Sequence, residues 1–288
     1  MKDLVTIAFP GLGIGDFTVS KVVLSIGSLS IRWYGLIITL GMVVAVAYAM
    51  WRAKQKGVVS DDMIDMALWT ISLGVLGARL YYVIFYGGVR SFYDVIAIWE
   101  GGLAIYGGII GGVLGIYICC RRKKMKFFSM LDSISPGVMI AQAMGRWGNF
   151  FNGEAYGSIV PEGSPLYFLR MGLYPHPHDY HDIKGMIYVH PTFLYESLWN
   201  VLGFVFINLL YKKRKFDGEV ALWYFAWYGF GRMFIEGLRT DSLMLGPFRI
   251  SQLVGLICFL AGTTLVILGR IHAAKTATPA QVNENNAE

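Results

Sequence analysis

Apolar stretches long enough to cross a membrane recur along this chain and constrain its fold more than any other feature. A helix needs about 20 mostly apolar residues to span a bilayer. Seven stretches meet this requirement: residues 32–51, 63–86, 102–120, 128–148, 192–211, 219–238 and 248–269. Only 15% of the residues are charged, whereas soluble domains carry about a quarter. The sequence therefore predicts an all-α integral membrane protein with about seven transmembrane helices.

Basic residues predict how these helices are oriented. Runs of lysine and arginine follow the first, third, fifth and seventh stretches. Because cytoplasmic loops carry the excess of positive charge, we expect the N-terminus outside and the C-terminus in the cytoplasm. The net charge of +6 then needs no nucleic-acid partner, since the basic residues form no continuous face.

The same orientation predicts the domain organisation. Residues 1–270 are expected to form a single transmembrane catalytic domain, with an external loop at about 153–190 that forms a small arm or head. The polar residues 271–288 are expected to be a disordered cytoplasmic tail.

Polar and ionisable residues within the stretches are predicted to share one depth. They fall in the outer half of the membrane and include Tyr34, Arg79, Tyr106, Arg146, Glu196, Asn200, Arg232, Glu236 and Arg239. A charge at the bilayer centre costs at least about 2.5–3.5 kcal/mol, so such residues pair or face a cavity. We therefore expect one pocket that is open to the outer leaflet.

A lipid or anion transporter with the same arginines is the alternative from another class. Transporters more often place polar groups at the midplane, and no internal repeat is present in this sequence. An alcohol phosphotransferase is a further alternative, but its aspartate-rich metal motif is absent.

A charged stripe on the sixth stretch indicates anion binding. Arg232, Glu236 and Arg239 are spaced i, i+4 and i+7, so they share one helical face. Two guanidinium groups on one face suit a phosphate, which they bind in a bidentate manner. The alternative is a buried structural Arg–Glu pair with Arg239 reaching toward the surface.

The stretch Gly145–Gly157, with the sequence GRWGNFFNGEAYG, brings further functional groups together. It joins Arg146, Asn149 and Glu154 to glycines that let a ligand approach the backbone, and amides can orient phosphate or glycerol oxygens. A turn at Asn152-Gly153 that ends a helix is an alternative reading, compatible with the first. Elsewhere, the four-residue spacing of Gly107, Gly111 and Gly115 predicts close helix packing.

A metal site is not expected. His176, His178, Asp179, His181 and Asp182 could bind zinc, but no helix or strand is predicted to hold them in place. The three cysteines have no metal-ligand spacing.

Several blocks resemble one known family. GRWGNFFNGEAYG at 145–157 closely resembles the signature of prolipoprotein diacylglyceryl transferases. IRWYG at 31–35, GGLAIYGGIIGG at 101–112, HPTFLYE at 190–196 and YGFGRMFIEGLRTD at 228–241 are similar to other blocks of that family, in the same order. The resemblance covers nearly the whole chain.

The resemblance implies a reaction in the inner membrane of a bacterium. The diacylglyceryl group of phosphatidylglycerol would pass to the lipobox cysteine of an exported prolipoprotein, without a cofactor, at the outer leaflet. It implies catalytic roles for Arg232, Glu236, Glu154 and Tyr106, and substrate binding by Arg146, Asn149, Tyr34, Glu196, Arg239 and Gly157.

One position departs from the family pattern. Many members have a histidine where this sequence has Tyr106. Tyrosine titrates near pH 10 and is a poor base, so we expect Tyr106 to position a substrate. Glu236, Glu154 or the positive field of the site would then account for loss of the thiol proton.

Overall fold

The computed structural model describes residues 3–27, 29–87, 91–98, 101–175 and 185–284. Helices dominate this part of the chain. They are α1 (Trp33–Lys54), α2 (Ser60–Tyr86), α3 (Phe92–Ile96), α4 (Ile105–Arg122), α5 (Phe127–Asn152), α6 (Thr192–Leu210), α7 (Glu219–Ile235) and α8 (Ile250–Glu284).

Five of the described helices, α1, α2, α4, α6 and α8, are long and apolar enough to cross a membrane. Helix α7 has only 17 residues, and α5 carries polar side chains such as Asp132, Gln142 and Arg146 along its length. The membrane character predicted from the sequence is thus supported, while the count of seven spans and their orientation stay predictions.

The all-α prediction is wrong for the N-terminus and for part of the 153–190 segment, which form strands. Strands β1 (Leu4–Phe9), β2 (Ile14–Ser20), β5 (Met171–Tyr174) and β6 (Ile187–Val189) build an antiparallel sheet in the order β2-β1-β5-β6. Two hairpins come directly before helices. Strand β3 (Val22–Ile26) pairs with β4 (Leu29–Arg32) before α1, and β7 (Met244–Leu245) pairs with β8 (Phe248–Arg249) before α8.

Alternating apolar residues explain the sheet. Val5, Ile7 and Phe9 are buried in one cluster with Leu173 and Val189, which is the two-residue period of a half-buried strand. These strands have three to seven residues, so they are too short to be predicted from apolar stretches of about 20 residues. The sheet gives the described strands of the 153–190 segment a packed core, while the external position of this arm stays a prediction.

Helix α8 continues to Glu284 in the described residues, and the disordered tail predicted from residue 271 stays a prediction. Alanine is the strongest helix former, and Ala273, Ala274, Ala277 and Ala280 lie within this extension. By contacts, the chain separates into two compact units, Val46–Ile134 and Met1–Ala45 with Ser135–Glu288. The single-domain boundary at 270 stays a prediction.

Glycines bring α2 and α4 into backbone contact within the Val46–Ile134 unit. A Cβ added at Gly107 or Gly111 would overlap the carbonyl oxygen of Gly77 or Leu73, and one at Gly115 would lie 2.6 Å from the Trp69 oxygen. The predicted packing role of these three glycines is confirmed.

We expect Gly111→Ala to lower the free energy of unfolding by about 1–3 kcal/mol, because the added methyl group overpacks the interface. Gly112→Ala is the matched control, since its Cβ would meet Thr70 Cγ2 at an ordinary 3.6 Å. Thermal unfolding of the detergent-solubilised variants measures the difference. Equal stabilities would contradict the packing role.

Candidate functional site

Three helix ends meet in the unit that contains Ser135–Glu288. Helix α5 ends at Asn152, α6 begins at Thr192 and α7 ends at Ile235. Backbone hydrogen bonds join the segments beyond these ends: Gly157 donates to the His190 oxygen at 2.9 Å, and Ser158 donates to the Leu238 oxygen at 2.7 Å. Side chains near these ends are therefore held close together.

Glu196 lies at the centre of the charged groups. Its carboxylate pairs with Arg146 of α5 through Oε2 and with Arg232 of α7 through Oε1. A third guanidinium group, from Arg239, lies 3.8 Å from Oε1. Only 4% of the Glu196 side chain is exposed, so one buried carboxylate connects three helices and holds their cations in register.

Glu236 is a second buried carboxylate in this network. It pairs with Arg232 one turn earlier on the chain, as the i, i+4 spacing predicts, and lies 4.0 Å from Arg239 Nε. Arg239 also donates to both oxygens of Asp241, at 2.9 and 2.8 Å. Because the Arg239 side chain is only 11% exposed, it does not extend to the surface as the structural alternative supposed.

The charges of this network do not cancel in its interior. Three arginines, Arg146, Arg232 and Arg239, face the two buried carboxylates of Glu196 and Glu236. The third carboxylate, Asp241, balances the formal charge, but it is 49% exposed, so its charge is screened more than those of the buried groups. An excess positive charge in a poorly hydrated site attracts an anion.

Arg146 is the member best placed to receive that anion. Its side chain is 22% exposed, against 15% for Arg232 and 11% for Arg239. It pairs with Glu196 through Nε, and no carboxylate of the described residues pairs with its two terminal nitrogens. Those nitrogens form the edge of a guanidinium group that suits two oxygens of a phosphate.

The end of α5 folds back on Glu154. The side-chain amides of Asn149 and Asn152 each donate to Glu154 Oε1 at 3.1 Å. The backbone N–H of Glu154 donates to the backbone carbonyl oxygen of Asn149 at 3.1 Å. Gly153 has a φ of +62°, so the predicted turn at Asn152-Gly153 is confirmed. Glu154 is exposed, and its Oε2 accepts no hydrogen bond from the described residues.

Gly157 contributes backbone and leaves no space for a side chain. It pairs with Arg239 in an isolated β-bridge. An added Cβ would lie 2.7 Å from His190 Cβ and 3.0 Å from the Leu238 oxygen. This glycine therefore connects the α5 and α7 ends directly.

Tyr34 and Tyr106 lie on different units. Tyr34 packs against α5, where a Cβ on Gly148 would lie 2.8 Å from its ring. Tyr106 is the second residue of α4 in the Val46–Ile134 unit, with its ring 6.2 Å from that of Tyr81. Of the ten predicted site residues, Arg146, Glu196, Arg232, Glu236 and Arg239 form one network of ion pairs. Gly157 pairs with Arg239, and Asn149 donates a hydrogen bond to Glu154.

The candidate zinc ligands from His176 to Asp182 lie outside the described residues. Within the described ranges, no group of three or more His, Cys, Asp or Glu side chains could hold a metal ion. His190 is described: burial lowers the pKa of its ring, and its Nδ1 lies 3.3 Å from the Tyr195 hydroxyl.

Sequence reasoning missed Arg249 and Gln252, which hold the end of α7. Arg249 donates to the Glu236 carbonyl oxygen, and Gln252 donates to the Met233 oxygen at 2.9 Å. The last carbonyls of a helix have no partners within the helix, so side chains from β8 and from the start of α8 donate to them. A signal was present, since Arg249 is a basic residue at the predicted outer end of a span.

Comparisons with known proteins find matches to one family. The family model of prolipoprotein diacylglyceryl transferase matches residues 21–268. A phosphatidylglycerol–prolipoprotein diacylglyceryl transferase of Streptococcus pneumoniae is 47% identical over 251 residues, which are 85% of this chain and 92% of the relative. The proteins of the same name from Listeria welshimeri and Streptococcus sanguinis are 42% and 43% identical, over 90% and 88% of this chain and 93% and 96% of their own.

Proposed function

The chain belongs to the prolipoprotein diacylglyceryl transferase family, and we propose that it transfers the diacylglyceryl group of phosphatidylglycerol to the lipobox cysteine of an exported prolipoprotein. The thiol sulfur attacks a glycerol carbon of the lipid, a carbon–sulfur bond forms, and the carbon–oxygen bond to the phosphate breaks. Glycerol phosphate leaves with the electron pair. This reaction is the first step of bacterial lipoprotein maturation.

The excess positive charge around Glu196 carries this proposal. Displacement of a phosphate ester concentrates negative charge on the leaving oxygens, and arginines that are already oriented stabilise that charge. Arg146 binds the phosphate through its terminal nitrogens, while Arg232 and Arg239 supply the surrounding field. Their orientation is supported by the ion pairs that each makes with a buried carboxylate.

Glu196 and Glu236 are positioning residues in this proposal. Each carboxylate is already ion-paired with guanidinium groups, so neither is well placed to take a further proton. Glu154 takes the thiol proton instead, because its Oε2 is engaged by no described residue and it is exposed. Asn149 holds the other oxygen of Glu154 and so orients the base.

The substrates meet the enzyme at the outer face of the inner membrane. The basic loops that follow alternate predicted spans support an external position for the ends of α5, α6 and α7, where phosphatidylglycerol and an exported signal peptide are both accessible. The apolar helices support a multi-pass position in the membrane.

A reconstitution assay tests the reaction. Purified protein is incubated with phosphatidylglycerol and a lipobox peptide, and the peptide is analysed by mass spectrometry. We expect a thioether-linked diacylglyceryl group on the cysteine and release of glycerol phosphate, with no product from a Cys-to-Ser peptide. A peptide that stays unmodified under conditions where the protein is folded would refute the function. Movement of lipid without peptide modification would favour a transporter.

Two substitutions separate the proposed roles of Glu154 and Tyr106. Glu154→Gln removes the base and is expected to slow transfer about 10²- to 10⁴-fold, the usual contribution of general base catalysis. Tyr106→Phe is expected to slow it by less than about tenfold, since one hydrogen bond is lost. Turnover at pH 7 with saturating peptide gives both values. If Tyr106→Phe abolished turnover while lipid binding survived, the positioning role would be wrong.

A further inference from the structure

Two amide side chains lie one helical turn beyond the arginine network. Gln142 precedes Arg146 by four residues on α5, and Asn200 follows Glu196 by four residues on α6. Four residues advance a helix by about 6 Å. Because α5 ends and α6 begins at the site, both amides lie on its inner side, away from the helix ends.

Contacts between α5 and α6 place these amides at one level. Ser197 Oγ donates to the Ala143 oxygen at 3.0 Å. Two turns further on, a Cβ on Gly203 would lie 2.8 Å from Met139 Sδ. Asn200 is midway between Ser197 and Gly203, so it lies beside residues 141–142 of α5.

Gln142 and Asn200 form a layer of amides, and α7 is the third helix that packs around it. The indole nitrogens of Trp199 and Trp227 each donate to the carbonyl oxygen of the other residue at 2.9 Å. They hold α6 and α7 together at the level of Asn200. Gln142 lies beside Tyr224 of α7, so polar groups from three helices converge beneath the arginines.

The amide oxygens in this layer lack hydrogen-bond donors. Asn200 is 1% exposed, and neither its Oδ1 nor the buried Oε1 of Gln142 accepts a hydrogen bond from any described residue. Buried side-chain oxygens nearly always have a partner. Asn208, two turns further along α6, shows the usual arrangement, since its amide donates to the Phe204 oxygen at 2.7 Å. The layer is therefore built to accept donors from a ligand.

We propose that Asn200 and Gln142 recognise the phospholipid by accepting hydrogen bonds from the hydroxyl groups of its terminal glycerol. This inference rests on the proposed function, in which Arg146 holds the phosphate about one helical turn away. A glycerol is long enough to cover that distance, and its hydroxyl groups are donors. An ammonium head group also donates, but the excess positive charge of the arginines repels it. The two amides thus select a neutral polyol.

Binding of two lipids with matched acyl chains tests this role. Short-chain phosphatidylglycerol is compared with phosphatidylpropanol, which has the same length and lacks both hydroxyl groups, by calorimetric titration of the detergent-solubilised protein. We expect the wild-type protein to bind phosphatidylglycerol at least about tenfold more tightly, the equivalent of one good hydrogen bond. In Asn200→Leu and in Gln142→Leu the ratio is expected to fall below about threefold, with phosphatidylpropanol affinity unchanged.

Thermal stability separates recognition from a structural role. Replacing a buried acceptor that has no partner by an apolar group of similar shape is neutral or stabilising, so Asn200→Leu is expected to keep or raise the melting temperature. Asn208→Leu removes a partnered amide from the same helix and is expected to keep the wild-type lipid ratio. If Asn200→Leu does not fold, Gln142→Leu carries the test from another helix.

Two results would overturn the proposal: a wild-type lipid ratio near one, or an unchanged ratio in folded Asn200→Leu and Gln142→Leu. The second result is also expected if only buried water occupies the layer. Transfer to the lipobox peptide is measured in parallel. A binding preference that depends on Asn200 without any thioether product would sustain the recognition role and refute the proposed transferase reaction alone.

Discussion

Replacement of Arg146 by alanine is expected to slow thioether formation by about 10²- to 10³-fold, the loss typical for removal of one transition-state donor. Arg146→Lys is expected to recover only part of this rate, because a lysine ammonium keeps the charge but not the planar pair of donors that a phosphate accepts. Single-turnover rates with phosphatidylglycerol and a lipobox peptide measure both variants.

Both Arg146 variants are expected to fold. Glu196 keeps Arg232 as a partner when Arg146 is removed, so no unpaired carboxylate remains in the interior. Arg170→Ala is the matched control in the same unit, since among the described residues Arg170 contacts the Tyr167 oxygen and the rings of Tyr167 and Tyr188. An Arg146→Ala enzyme with wild-type turnover would show that the phosphate is bound elsewhere.

Glu196→Gln is expected to have the largest effect on stability. The substitution keeps the shape of the side chain but leaves Arg146 and Arg232 facing a neutral amide in a site where Glu196 is 4% exposed. Removing one partner of a buried ion pair costs about 3–5 kcal/mol. We expect a large fall in the melting temperature together with loss of turnover, whereas the exposed Glu162→Gln is expected to change neither.

A second substitution tests the cause of that instability. Glu196→Gln combined with Arg146→Gln removes one excess positive charge, so part of the lost stability is expected to return. Activity is not expected to return, because the phosphate ligand is gone. If the double variant were less stable than Glu196→Gln alone, charge imbalance would not be the cause.

Much of the membrane part was predictable from local sequence. Apolar stretches of about 20 residues predict helices directly, and the structure places α1, α2, α4, α6 and α8 on predicted stretches. The glycine spacing on α4 likewise predicted its packing face, because residues four apart share a helix face. The sheet was not predicted, since β1 pairs with β5 across more than 160 residues of chain, and no local period records such a pairing.

Part of the candidate site was also predictable from the sequence, and part was not. The stripe of Arg232, Glu236 and Arg239 follows from the helical period, and the pair of Arg232 with Glu236 formed as that period requires. The central role of Glu196 did not follow, because its partners lie 50 residues before it and 36 residues after it. Sequence separation carries no record of which helices become neighbours.

The sequence by itself determined that this chain belongs in a membrane and that arginines, glutamates and amides gather near the same ends of its helices. Composition and helical period are properties of neighbouring residues, so they can be read without a fold. Only the tertiary structure decided that Glu196 joins three arginines and that Asn200 has no donor among the described residues. Those contacts depend on how α5, α6 and α7 pack, and packing brings together groups that are far apart along the chain.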